Sequence, residues 1–349
     1  MNIGIIGCGR ITEKHLSSLN QISNARVTAL SDLSFERMKQ AATQISSSVE
    51  ELPQLFDHYH DLLQTDSELV VIATTSGTHV EIAEAALKAG KHVLVEKPLS
   101  LSIEESRMLT KLADVQGKQL FVCHQLRFRK ILNEIKTLID SGKLGTIHLG
   151  TVSMSVQRPT SYYEAAPWRG TWDQDGGMLI NQGIHMVDLL IWYMGKVQSV
   201  SGQLQWVNTQ KETEDIALGM VTFCNGATGL IEANSVTYPH NHGYAIKLFA
   251  EKGTIIIEGS NFDQLTRATI EGEPWSEDVS EWLTDKDEQV KMYKEVIKSI
   301  TGLSNTAVMA KEAEFALETI FALYQSHKLA SSVSLPLSSF STTDMKGVN

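Results

Sequence analysis

Strand-length apolar runs alternate with helix-length segments through the first 122 residues, and that alternation leaves the chain few folds to choose from. "NIGIIG", "RVTALSD", "ELVVIAT", "HVLVEKP" and "LFVCH" read as buried strands. Between them, "RITEKHLSSLN", "HVEIAEAALKAG" and "SIEESRMLTKLADVQG" have helical character, and Gly90 stands where a helix end favours glycine. Repeated strand–helix order implies parallel strands joined by right-handed crossovers. A doubly wound parallel sheet is therefore expected for residues 1–122, with a second α/β domain over 123–349. The length of 349 residues supports two domains, because a single core normally stops growing below that size.

The first strand runs into Gly7-Cys8-Gly9. Gly7 permits a tight turn, and Gly9 lets the backbone approach a pyrophosphate at the N-terminus of the next helix. Thr12 replaces the third glycine of the usual fingerprint. The acidic residue expected after the second strand is Asp32, whose carboxylate can accept hydrogen bonds from a ribose and would repel a 2′-phosphate. NAD is thus expected over NADP, with Arg37 nearby as the one feature pulling the other way. Thr74, Thr75 and Ser76 follow another strand and should line the same crevice, while His79 either joins them or simply begins the next helix. Glu96 and Lys97 end a strand that should be central, where open α/β sheets bind ligands, and Pro98 limits the backbone of Lys97.

A net charge of −11 argues against a general nucleic-acid or anionic-membrane binder. Cys8, Cys123 and Cys224 are far apart and lack metal-ligand spacing, so reduced thiols and no metal are expected. "MNIGIIGCGR" has no basic region ahead of its apolar run, and no stretch approaches the roughly 20 apolar residues of a membrane span. A cytoplasmic protein is expected.

The segment "GGMLINQGIHMVD" (176–188) places Asn181, His185 and Asp188 at helical spacing beside an apolar stripe of Ile180, Ile184, Val187 and Ile191. Such a row is either a buried hydrogen-bonded cluster or a proton-transfer site. Just before it, Arg158, Tyr162, Tyr163, Trp168, Arg169 and Trp172 combine rings that stack on sugars or bases with guanidinium groups that bind carboxylate or phosphate. A packed interface loop is the competing reading of that segment.

In order along the chain, GCGRIT (7–12), ATTSGTH (73–79), AGKHVLVEKPLS (89–100) and GG…G-x-H-x-x-D (176–188) resemble the Gfo/Idh/MocA family of NAD(P)-dependent sugar and polyol oxidoreductases. The resemblance covers nearly the whole chain. It implies a Rossmann domain followed by an α/β domain with an open, mostly antiparallel sheet, commonly buried by assembly into homodimers or homotetramers. "TIHLGTVSMSVQ", "VQSVSGQLQWV", "IALGMVTFCNGATGLIEANSV" and "YAIKLFAEKGTIIIEG" read as the strands of that sheet. By the same resemblance Gly7, Gly9, Arg10, Ile11 and Asp32 hold NAD, joined by Thr74, Thr75, Ser76, His79, Glu96 and Lys97.

The family's active-site lysine and histidine correspond to Lys97 and His185, one as base and the other as orienting electrophile or proton shuttle. Gln125, Arg127, Arg158, Tyr163, Trp168, Arg169 and Asn181 join them as substrate-contact candidates. Where the family often has a catalytic aspartate this chain has Asn181, which can orient a hydroxyl but cannot take its proton. With "SYYEAAPWRGTW" upstream, that amide resembles the branch oxidising C3 of UDP-N-acetylglucosaminuronate for surface-polysaccharide precursors. The branch implies tightly held NAD(H), reoxidised with 2-oxoglutarate. Oxidation of a free sugar, inositol or other polyol stays open, as does a non-catalytic NAD-binding regulator.

Overall fold

The computed structural model describes residues 1–45 and 52–348. In chain order the first elements are β1 (Asn2–Ile6), α1 (Arg10–Leu19), β2 (Arg26–Ser31), α2 (Phe35–Ala42), β3 (Gln54–Phe56), α3 (Tyr59–Leu62), β4 (Leu69–Ile72), α4 (His79–Lys88), β5 (His92–Val95), α5 (Ile103–Gln116) and β6 (Leu120–Val122). They are followed by α6 (Lys130–Asp140), β7 (Ile147–Ser155), α7 (Thr160–Glu164), α8 (Ile184–Met194), β8 (Val197–Gln205), β9 (Ile216–Phe223), β10 (Thr228–Asn234) and β11 (Gly243–Ala250). The last are β12 (Gly253–Gly259), β13 (Gln264–Ile270), β14 (Glu273–Pro274), α9 (Ser280–Thr284), α10 (Glu288–Ile300), α11 (Ala310–Leu329) and β15 (Val333–Ser334).

The chain divides into two compact units: Met1–Ser100 with Glu104–Phe128 and Asp287–Ala313, and Leu101–Ile103 with Arg129–Lys286 and Glu314–Asn349. The first unit holds the expected parallel sheet, in the order β3-β2-β1-β4-β5-β6. Its central strands are apolar on both faces: Ile3, Ile5, Val70, Val71, Val93 and Leu94 are all fully buried. Each such side chain contributes about 1.5–3 kcal/mol by leaving water. Unlike a single cut near residue 122, the partition returns the chain to this unit at Asp287. The reason is α10, whose Met292, Tyr293, Val296 and Ile297 complete the core around Ile3, Ile5, Leu16 and Leu19.

The second unit is built on a nine-stranded sheet, β14-β13-β12-β11-β7-β10-β9-β8-β15. Among the described residues β7 pairs β10 in parallel, and every other pairing in this sheet is antiparallel. One face is close-packed by helices. A Cβ on Gly150 of β7 would lie 2.1 Å from Met194 Sδ on α8, so any larger residue there would displace the Met194 side chain. On the other face Leu218, Met220, Leu230 and Phe249 are exposed. The serine-rich tail is packed: Val333 pairs with Val200, Phe340 is buried, and Thr342 donates to the Trp172 carbonyl at 2.5 Å. Among the described residues no helix is long and apolar enough to cross a membrane.

Candidate active site

In the first unit the turn after β1 is tightly constrained. Gly7 has φ +94°, and a Cβ there would stand 2.5 Å from the Ala73 carbonyl oxygen, so no other residue fits. A Cβ on Gly9, at the start of α1, would meet nothing within 4 Å, which leaves the helix N-terminus open to an anion beside Arg10 and Ile11. Thr12 explains the missing third glycine. It is buried, and its hydroxyl donates to the Gly7 carbonyl at 2.7 Å, so the side chain fixes the turn. Both oxygens of Asp32 accept backbone N–H groups, from Cys8 at 2.7 Å and Ser34 at 2.8 Å. Each carboxylate oxygen keeps a second lone pair for a ribose hydroxyl. Arg37 lies 3.9 Å from Asp32 with its side chain largely in solvent. Glycine turn, open helix end and clamped carboxylate together fit NAD.

After β4, Thr78 ties the next loop together: its hydroxyl donates to the Thr75 carbonyl at 2.8 Å and shares a 2.8 Å hydrogen bond with the Thr74 hydroxyl, beside Ser76. His79, read either as a cofactor contact or as the start of the next helix, is the first residue of α4, and it is buried. Its Nδ1 lies 2.7 Å from the Pro98 carbonyl, and burial lowers its pKa, so the ring is a neutral post under the segment after Lys97. Glu96 also faces inward. It meets His15 Nε2 at 3.0 Å and accepts the Lys97 N–H at 3.2 Å. His15 Nδ1 in turn lies 2.6 Å from the Tyr293 hydroxyl and 3.0 Å from Gln289 Nε2, so α10 braces the strand end that carries Lys97. Lys97 is half-buried. Arg127, a substrate candidate from sequence, is buried and paired with Glu312, while Gln125 is half-buried beside it. The spacing of 185 residues between Arg127 and Glu312 hid that commitment.

In the second unit the helix bearing Asn181 and His185 is not uniform. Leu179–Gly183 forms a π turn and α8 begins only at Ile184, so the straight row read from sequence is interrupted where the polar residues lie. Asn181 and His185 are half-buried, whereas Asp188 is buried. Asn181 Nδ2 donates to Asp175, a residue that carried no motif. The π turn is held from below by Glu214, whose Oε1 accepts the Leu179 N–H at 2.8 Å and the Tyr324 hydroxyl at 2.7 Å. Burial pushes the Glu214 pKa up to about 7, against the lowering effects of those donors and of Lys211.

The upstream loop gathers around Tyr162. The Arg169 guanidinium lies 4.2 Å from the ring centroid and that of Arg158 5.2 Å away. Gln182 joins them, accepting Arg158 Nη2 at 2.5 Å and donating to the Tyr162 hydroxyl at 3.2 Å. Trp168 lies under Arg169 at 5.4 Å, and Tyr163 faces the Lys211 ammonium at 5.2 Å. Burial raises the Tyr163 hydroxyl pKa, so Tyr163 stays a neutral ring. Trp172, grouped with them in sequence, belongs to the core and packs edge-on to Tyr324.

Residues 1–124 match the oxidoreductase family with an NAD-binding Rossmann fold, and residues 132–256 match the GFO/IDH/MocA C-terminal domain. The crystal structure of the WlbA dehydrogenase from Bordetella pertussis, in complex with NADH and UDP-GlcNAcA, is similar over 97% of this chain and 98% of that one, with a TM-score of 0.90 and 30% identity. WlbA from Chromobacterium violaceum, with the same ligands, covers 97% and 96% with a TM-score of 0.88 and 31% identity. Myo-inositol 2-dehydrogenase of Thermotoga maritima is 27% identical over 96% of this chain and 98% of its own. With both halves matched and relatives at this identity spanning its length, the chain belongs to the Gfo/Idh/MocA family of NAD-dependent oxidoreductases.

Proposed function

We propose that the protein oxidises a secondary alcohol of a sugar to a ketone, and that its substrate is an anionic nucleotide sugar of the UDP-N-acetylglucosaminuronate type, oxidised at C3 for surface-polysaccharide precursors. The observation that carries the substrate class is the pair of guanidinium groups, Arg158 and Arg169, on either contact of Tyr162. Two fixed cations beside a ring suit a phosphate or carboxylate joined to a base or sugar, whereas an uncharged polyol gives them nothing to neutralise. The relatives crystallised with UDP-GlcNAcA support the same class. The inositol dehydrogenase relative keeps a free polyol as the second candidate.

NAD held at the Gly7 turn and Asp32 would supply the hydride acceptor for the carbinol carbon. The chain must remove the hydroxyl proton. An imidazole within reach of a hydroxyl can take its proton, and His185 serves as the base. The Lys97 ammonium stabilises the developing alkoxide, with its backbone N–H held by Glu96. Asn181 orients a hydroxyl and takes no proton. A second copy of the chain is the expected cover for the outer sheet face, where Leu218, Met220 and Leu230 stand exposed on adjacent strands. Turnover tests the substrate: NAD reduction with UDP-N-acetylglucosaminuronate, with and without 2-oxoglutarate, against a panel of free sugars and inositols. Faster turnover of a free polyol would transfer the protein to the second candidate.

A further inference from the structure

Asn181 has two chemically opposite ends, and its neighbour decides which one faces the substrate. Asp175 is only 3% exposed and is anchored through both oxygens. Oδ2 accepts the Gly170 N–H at 2.8 Å, and Oδ1 accepts Asn181 Nδ2. A carboxylate has no proton to give, so the Asn181 amide must turn its NH2 toward Asp175. The amide is planar, and its oxygen therefore points to the opposite side. The backbone of Asn181 is fixed as well, since its N–H donates to the Gly177 carbonyl at 2.9 Å.

We propose that Asp175 is a positioning residue that makes Asn181 a hydrogen-bond acceptor toward a substrate hydroxyl, and that the site requires an acceptor there. The role of Asn181 rests on the sugar-oxidation reading above; the orientation of its amide does not. An acceptor at this point holds the hydroxyl by its own proton, which selects a rotamer of the C–O–H group without adding charge to the site.

Exchange of the two residues tests this. With Asp175→Asn, the Gly170 N–H still requires an oxygen, so the new amide turns its NH2 toward residue 181. Asn181 must then flip and offer NH2 where it offered oxygen. Adding Asn181→Asp to that variant restores the pair with roles reversed: the amide at 175 donates to a carboxylate at 181, which again presents only acceptors. Asn181→Asp alone sets two carboxylates face to face and forces them to share a proton.

For a wild-type enzyme that turns over a sugar, Asp175→Asn should lower kcat/KM about 10- to 100-fold, the range for one misdirected buried hydrogen bond. The exchanged pair should recover to within about 3-fold of wild type by the same measure. NADH binding should be unchanged throughout. Losses that simply multiply in the double variant, or full activity of Asp175→Asn, would overturn the proposal. If the wild-type enzyme oxidises no sugar, the reaction assignment fails, and the amide orientation is read by NMR alone. The Asn181 side-chain NH2 signals, identified by their loss in Asn181→Asp, should move on Asp175→Asn as the carboxylate acceptor disappears. Unmoved signals would overturn the proposal without any turnover.

Discussion

Glu214 should make the second unit lose stability as pH rises from about 4.5 toward neutrality, and Glu214→Gln should abolish that dependence. The carboxyl group is fully buried. Oε1 takes both donors, Leu179 N–H and Tyr324 O–H, and among the described residues Oε2 has no hydrogen-bond partner. Burial raises the pKa from 4.5 to about 7. The folded protein therefore binds this proton more tightly than the unfolded chain does. The associated stability is fully present below about pH 4.5 and is lost as pH climbs through about 7. A shift of that size corresponds to about 3 kcal/mol, at 1.36 kcal/mol for each pKa unit. For a unit of this length that amounts to a Tm difference on the order of 5–10 °C. Glutamine keeps an oxygen for both donors and cannot ionise. Differential scanning calorimetry from pH 5 to 8.5 should show the wild-type Tm falling away from that of Glu214→Gln between about pH 5 and 7 and then staying below it by a constant margin, with the two closest in acid. Parallel curves over the whole range would refute the reasoning.

Gly7→Ala should abolish NADH binding measured by fluorescence quenching, because a Cβ at φ +94° would lie 2.5 Å from the Ala73 carbonyl and force the phosphate turn open. Arg158→Ala should raise KM for the UDP-sugar about 10-fold or more, through loss of a charge-assisted contact, while kcat changes little; equal effects on a free polyol would remove Arg158 from substrate selection. Met220→Lys, on the exposed sheet face, should shift the mass found by light scattering toward the single chain with no change in circular dichroism.

What was legible in the sequence is what local backbone chemistry dictates. Gly7 and Asp32 could be found because a tight turn and a strand-end carboxylate are needed at set distances along one chain segment. The β-branched alternation of the second half likewise marked its strands, although β15 in the serine-rich tail escaped because two residues carry too little pattern. Residues whose meaning depends on distant partners were hidden. Glu214 lies 35 positions from the Leu179 N–H it accepts and 110 from Tyr324. Asp175 sits close to Asn181 in sequence, but only the π turn brings their side chains together, and helical spacing gives no warning of it. Arg127 was expected at a ligand because its motif lies there, yet Glu312 claims it, and the contact of His79 with the Pro98 carbonyl was equally out of sight. The return of α10 to Leu16 and Ile3 was hidden for the same reason, since nothing local says that the chain comes back to them.

The most direct measurement is steady-state NADH formation from NAD and UDP-N-acetylglucosaminuronate by the wild-type protein, by Lys97→Met and by His185→Asn, with NADH affinity measured on each. Wild-type turnover is expected, with kcat reduced about 10²- to 10⁴-fold in each variant, as for loss of a general base or an alkoxide-stabilising charge, and with the fold intact. Undiminished turnover in either variant, on a substrate the wild-type enzyme oxidises well, would contradict proton removal by His185 assisted by Lys97.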